Sequence, residues 1–156
     1  MANPFVQLSN NGVFLVTMFA WTTAQMIKII IGVKKERRFN FKWIFEPGGM
    51  PSAHTATVSA LATSVGIYFG FGSGLFAVTL IFAIMIMFDA AGLRRSVGKQ
   101  AGILNRIVDD VYRNKKIEEQ KLRELLGHTP IEVIAGAGLG ILIAMVLTAR
   151  LEGGLF

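Results

Sequence analysis

The chain has two histidines, and each stands at the start of an apolar segment. His54 ends the stretch Gly48-Gly49-Met50-Pro51-Ser52-Ala53-His54, and His128 belongs to Gly127-His128-Thr129-Pro130-Ile131-Glu132. The first turn of a helix presents unpaired N–H groups and the positive end of the helix dipole, so both positions favour an anion. Two such ends brought together form a phosphate-sized site with an imidazole on either side. Two histidines with no cysteine and no tight carboxylate cluster make a poor metal site. Phosphoryl transfer suits them better, because it needs a nucleophile, a proton for the leaving group and charge stabilisation of the oxygens. Glu132 follows His128 by four residues, so one helical turn brings its carboxylate to an imidazole N–H and fixes the tautomer. The same residues, Thr129-Pro130-Ile131-Glu132, also read as a capping box with proline at the first helical position. The two roles of Glu132 do not exclude each other.

The elements that must position these residues are apolar. The 156 residues are 53% hydrophobic, too apolar for an ordinary soluble domain and too few for several domains, so the whole of 1–156 reads as one small membrane domain. Four transmembrane spans are expected at about 13–33, 54–71, 75–91 and 131–149. No small-residue cleavage site follows the first, which therefore reads as a retained span. It carries Gln25 and Lys28 on one face. Lys28 either snorkels to the nearby interface or faces a polar interior and serves the site. The second and third spans share the short glycine-rich turn at 70–74 and are antiparallel neighbours. Thr55, Thr57, Ser59, Thr63 and Ser64 let the second span approach its neighbours closely, and Gly136 and Gly140 give the fourth the spacing of close helix packing.

Between the third and fourth spans the chain is polar and basic. Val97, Ala101, Leu104, Ile107, Val108 and Val111 recur at helical spacing, and Ile117, Leu122, Leu125 and Leu126 mark a second short helix, so a surface-lying or partner-packing amphipathic hairpin is expected there. The fold class is thus all-α, an integral-membrane helical bundle of about four spans with a cytoplasmic hairpin. The net charge of +6 sits between apolar segments, where it sets topology and meets anionic lipid rather than nucleic acid. The basic segments 34–42 and 94–123 hold nearly all the lysine and arginine and are placed in the cytoplasm, with both termini opposite. Both histidines, Asp89 and the Arg94-Arg95 pair then share one face of the membrane. A site built this way closes within one chain or between the subunits of a homo-oligomer; the spans allow either.

Three blocks of the chain together resemble a known family. Gly-Gly-Met-Pro-Ser-Ala-His at 48–54, Asp-Ala-Ala-Gly-Leu-Arg-Arg at 89–95 with Gly98 and Gln100, and Leu-Leu-Gly-His-Thr-Pro-Ile-Glu-Val at 125–133 look like the divergent branch of the type-2 phosphatidic acid phosphatase and vanadium haloperoxidase superfamily. The superfamily pattern runs Lys-x6-Arg-Pro, Pro-Ser-Gly-His and Ser-Arg-x5-His-x3-Asp. Here Ala53 stands for the glycine of the second block and Glu132 for the aspartate of the third. The resemblance implies that His128 is a nucleophile that becomes a phosphohistidine, that Glu132 orients it, and that His54 protonates the leaving alkoxide and later activates water. It also implies that Ser52 and nearby N–H groups hold phosphate oxygens. The cation blocks depart from the pattern: Leu122 stands where an arginine is expected, with Arg123 one place on, and Glu46-Pro47 stands where Arg-Pro might be sought. Arg94, Arg95 and Lys28 are the substitutes to consider.

The reading that follows is a metal-independent membrane phosphatase, without a cofactor, acting on a lipid or isoprenoid phosphate at the cytoplasmic face. The alternative is a non-enzymatic membrane protein that binds anionic lipid or a partner through its basic segments, with both histidines structural. The topology is tested by single cysteines in segments 34–42 and 94–123 of this cysteine-free chain: an impermeant thiol reagent outside intact cells should leave them unlabelled, and labelling there would reverse the orientation.

Overall fold

The computed structural model describes residues 3–37, 49–111 and 128–153, with only the backbone at 93–95, 109–111, 152 and 153. The described residues are helical apart from short caps and turns. A short helix α1 (Pro4–Ser9) precedes α2 (Gly12–Glu36), followed by α3 (Ala53–Phe69), α4 (Gly74–Phe88), a π-helical turn (Asp89–Leu93), α5 (Arg94–Val111) and α6 (Pro130–Gly153). Local chemistry sets the ends. Asn11 caps α2 through its side chain on the Phe14 N–H at 3.0 Å, and Lys34 and Lys35 in its last turn complement the dipole before Arg37 leaves the helix at φ 52°. Gly70, at φ 87°, ends α3, and Ser73 caps α4 on the Phe76 N–H at 3.1 Å.

The bundle is organised around α3, which packs on α2, α4 and α6. Ten of its residues are buried, from Ala53 to Gly66, and they cover much of its circumference. Its closest partner is α6, and the two run parallel. A Cβ on Gly136 would lie 2.5 Å from the Ser52 carbonyl oxygen and 3.1 Å from Thr55 Cβ. A Cβ on Gly140 would overlap the Ala56 carbonyl. The seam therefore pairs Ser52, Ala56 and Ala60 with Gly136, Gly140 and Ala144, small residues four apart on both helices, which is the condition for backbone contact without lipid between. On the other side, Val16 and Ala20 of α2 close over Ala60 and Ala144, and Ala24 closes over Ala53 and Ala56. The expected close packing at Gly136 and Gly140 is present.

Among the described residues, three stretches are long and apolar enough to cross a membrane: Gly12–Glu36, Gly74–Val108 and Pro130–Leu151. Helix α3, expected as a further span over 54–71, has 17 residues and is short of that length. The expected first, third and fourth spans correspond to α2, α4 and α6. The segment before residue 13, to which no helix was assigned, contains α1 with Phe5, Val6 and Leu8 exposed.

The amphipathic stretch at 97–111 differs from the expected separate arm. It continues the third span through the π-helical turn, because Asp89-Ala90-Ala91-Gly92 contains no proline to stop the helix. Gly98, Ala101 and Asn105 are buried, whereas Val97, Leu104 and Ile107 are exposed. The second arm, at 117–126, lies outside the described residues.

The seam makes a paired prediction. Gly140→Ala forces the α3 backbone away and should destabilise the purified protein by about 1–3 kcal/mol, the range for overpacking a filled interior. Gly138, where an added Cβ meets nothing within 4 Å, should accept alanine with no loss. Thermal unfolding of the two variants in one detergent checks this, and equal midpoints would refute the tight seam.

Candidate active site

The α3–α6 seam brings the two histidine-bearing helix starts level with each other. Ser52 caps α3: its Oγ accepts the Thr55 N–H at 3.4 Å and the Thr55 hydroxyl at 3.0 Å. Its own N–H donates to the Glu132 carbonyl oxygen at 3.1 Å, a main-chain link between the first turns of the two helices. Across it the imidazoles of His54 and His128 stand 6.3 Å apart between ring centroids, with their planes at 59°. His128 is buried and His54 is exposed, so one ring is held inside and the other faces outward.

Glu132 makes both of the contacts its position allows. Its Oε2 accepts the Thr129 N–H at 3.0 Å, while the Glu132 N–H reaches Thr129 Oγ1 at 3.4 Å, which is a reciprocal capping box. The same Oε2 lies 3.1 Å from His128 Nδ1. A carboxylate at Nδ1 favours the tautomer with the proton on that nitrogen, which leaves Nε2 with its lone pair. Nε2 is then the nitrogen of His128 that can attack an electrophile or accept a proton.

The backbone of His128 is fixed from a third direction. Its N–H donates to the Ala90 carbonyl at 2.9 Å. Ala90 lies in the π-helical turn, where the wider winding disturbs the regular i to i−4 ladder and can leave a carbonyl for an outside donor. Neither this contact nor the Ser52 link is marked in the sequence: main-chain groups have no residue type, and an Asp-Ala-Ala-Gly stretch reads as ordinary helix. Asp89, at the first position of the turn, is half-buried.

Of the residues expected at the site, the fold brings together His54, His128, Glu132 and Ser52. Lys28 joins their edge. Its aliphatic stem lies against Gly49, whose added Cβ would meet Lys28 Cγ at 3.3 Å, and Gly49 stands three residues before Ser52 with φ 85°. One turn back on the same helix, Ala24 packs on Ala53 and Ala56, so α2 delivers Lys28 near the start of α3. Ser52 is fully buried, with its N–H and its oxygen engaged within the protein, so in this geometry it holds the helix starts together rather than presenting a hydroxyl outward. Arg94 and Arg95 open α5 directly after the turn that carries Ala90; only their backbone is described. Arg123, Leu122 and the Glu46-Pro47 pair lie outside the described residues.

A buried histidine with a carboxylate at Nδ1 and a second imidazole beside it thus stand at two helix starts, at the end of an apolar bundle with the helices of a membrane protein. Residues 9–143 match the Divergent PAP2 family, and the chain belongs to it. It is 41% identical over 153 residues to the "Uncharacterized membrane protein YuiD" of Bacillus subtilis (strain 168), an alignment that covers 91% of this chain and 97% of that protein. No solved structure matches.

The cap of α3 supplies a prediction that does not depend on chemistry. Ser52→Ala leaves the Thr55 N–H and hydroxyl without their buried acceptor and should cost about 0.5–2 kcal/mol, the range for loss of an N-cap. A lowered Tm at unchanged helical content by circular dichroism is the expected result. An unchanged Tm would mean that the Ser52 oxygen holds nothing.

Proposed function

We propose that the protein is a membrane phosphatase that hydrolyses a lipid or isoprenoid phosphate, a monoester or diphosphate, through a phosphohistidine on His128. The single observation behind this reading is the contact of His128 Nδ1 with Glu132 Oε2 at 3.1 Å, with the second histidine beside it across the seam. In the proposed reaction Nε2 of His128 attacks phosphorus as the bond to the leaving oxygen breaks, and protonated His54 delivers its proton to that oxygen. His54, now neutral, takes a proton from water as the water oxygen displaces His128 from phosphorus. Inorganic phosphate is released and both imidazoles return to their starting states. Glu132 stabilises the positive charge that builds on His128 while it carries phosphate. Lys28, Arg94, Arg95 and Arg123 are the cations available to the phosphate oxygens, and the helix starts add N–H groups and dipole.

The proposed topology has four spans, with α3 the shortest of them and inside the bundle, and with the site and the amphipathic hairpin in the cytoplasm. A span of 17 residues is about 25 Å at the helical rise, which requires a bilayer thinned beside it or a helix start recessed from the interface. A recessed start suits a substrate whose phosphate lies at headgroup depth. The basic residues at 34–38 and around Lys99 and Arg106 support the cytoplasmic placement.

Phosphate release by purified protein, measured on several lipid phosphates with a chelator present, tests the reading. Wild type should release phosphate and His128→Ala should not. Absence of turnover on every lipid phosphate would favour the non-enzymatic binder of anionic lipid. Glu132→Gln separates the cap from the orienting carboxylate, since the capping box admits either residue. It should keep its Tm and lose roughly 10²-fold or more in rate, by analogy with removing the charge of a histidine-orienting carboxylate; full activity would sink the orienting role. His54→Ala should lose roughly 10²–10⁴-fold on an alkyl phosphate and much less on an aryl phosphate, whose leaving group needs no proton. Equal losses on both substrates would remove His54 from the proton path.

A further inference from the structure

Helix α5 carries an apolar stripe that the bundle does not use. Val97, Ile103, Leu104 and Ile107 are 44–60% exposed and lie on one side of the helix, away from the buried face of Gly98, Ala101 and Asn105. Lys99 and Arg106, both exposed, are seven residues apart and border the stripe on either side of Ile103 along the helix, four residues before it and three after. An apolar strip edged by cations fits the boundary between acyl chains and anionic headgroups, where the strip enters and the long basic side chains reach the phosphates.

The helix reaches that boundary directly from a membrane span. From Gly74 to Val108 the chain is helical over 35 residues, about 52 Å at 1.5 Å per residue and longer than the roughly 30 Å of hydrocarbon. The part beyond the π-helical turn must therefore leave the hydrocarbon. Continuing straight would carry Leu104 and Ile107 into water. A change of direction at the π-helical turn, a common place for helices to bend, keeps them at the interface.

We propose that α5 lies along the headgroup layer of the leaflet in which α4 ends, with Val97, Ile103, Leu104 and Ile107 among the lipid chains and Lys99 and Arg106 on anionic headgroups. The proposal rests on α4 as a membrane span and does not depend on catalysis. Since α5 continues from the turn whose Ala90 carbonyl accepts the His128 N–H, the proposed lipid surface and the candidate site are joined through that turn.

Because the chain has no cysteine, the test needs one substitution at a time. A bimane fluorophore on Leu104→Cys, and in a second protein on Ile107→Cys, is read in vesicles of phosphatidylcholine and phosphatidylglycerol, with Ile81→Cys on α4 as a lipid-exposed reference. Lipid brominated near the headgroup end of its acyl chains should quench the label at either α5 position, and aqueous iodide should not. Brominated phosphatidylglycerol should act at about tenfold lower mole fraction than its phosphatidylcholine counterpart, and Lys99→Gln with Arg106→Gln should abolish that preference, since each basic residue adds to attraction for an anionic surface. Iodide quenching without lipid quenching would overturn the proposal in favour of a helix standing in water. Protection from both quenchers would overturn it in favour of a protein partner on the stripe. Lipid quenching without preference for the anionic lipid would overturn the role of the two cations. Phosphatase activity is not read at any step, so failure here is distinct from failure of the catalytic reading.

Discussion

Contact between the backbones of α3 and α6 is the constraint on which the rest of this structure depends. With hydrogen in place of Cβ at Gly136 and Gly140, the two helices approach until main-chain carbonyls of α3 lie against the glycines of α6. In a bilayer no hydrophobic effect drives such an approach between spans, since lipid is as apolar as the side chains it would replace. Dispersion over a close, small-residue seam supplies it. The register of that seam sets Ser52 opposite Glu132, and hence His54 opposite His128. A change of one turn in register would separate the imidazoles by about 5.4 Å along the axis.

The candidate site is then a matter of helix ends. Two main-chain hydrogen bonds, Ser52 to Glu132 and His128 to Ala90, tie the start of α6 to α3 and to the π-helical turn. Each uses a group that a helix end or an irregular turn would otherwise leave without a partner in a poorly hydrated place. The same economy appears at Glu132, where one carboxylate oxygen serves both the helix cap and the histidine. A buried imidazole held at its backbone and at Nδ1 has little freedom left, which is the fixation that the proposed attack on phosphorus would need. His54, by contrast, is exposed on the first turn of α3.

Helix α3 combines two features that a typical membrane span lacks: it is short, and it is buried on most sides by its own protein. Its side chains are correspondingly small and include serine and threonine. Thr57 turns its hydroxyl back to the Ala53 carbonyl at 2.7 Å, and Thr55 gives its hydroxyl to Ser52. Helix α4 is the opposite case. Apart from Ala83, its large apolar residues are exposed or half-buried, as expected of a helix facing lipid.

The sequence by itself determined the class of this protein, the place of the helices α2, α4 and α6 to within a few residues, and the pair of histidines at helix starts. Hydropathy does this because the bilayer admits few structures, and the histidines at helix starts are visible because caps, proline and glycine leave local signatures. It also carried the close-packing glycines, the Glu132 cap and the Glu132 contact with His128, since each depends on residues one turn apart. Tertiary structure decided what depends on main-chain groups meeting across helices. The Ser52 to Glu132 link, the Ala90 carbonyl that holds His128, and the continuation of α4 into α5 have no residue-type signature. Periodicity located an amphipathic helix at 97–111 but left open whether its large apolar residues meet lipid or protein, and the structure buries Gly98, Ala101 and Asn105 instead. Beside a membrane, apolar character does not tell the protein interior from the lipid, because both exclude water equally well.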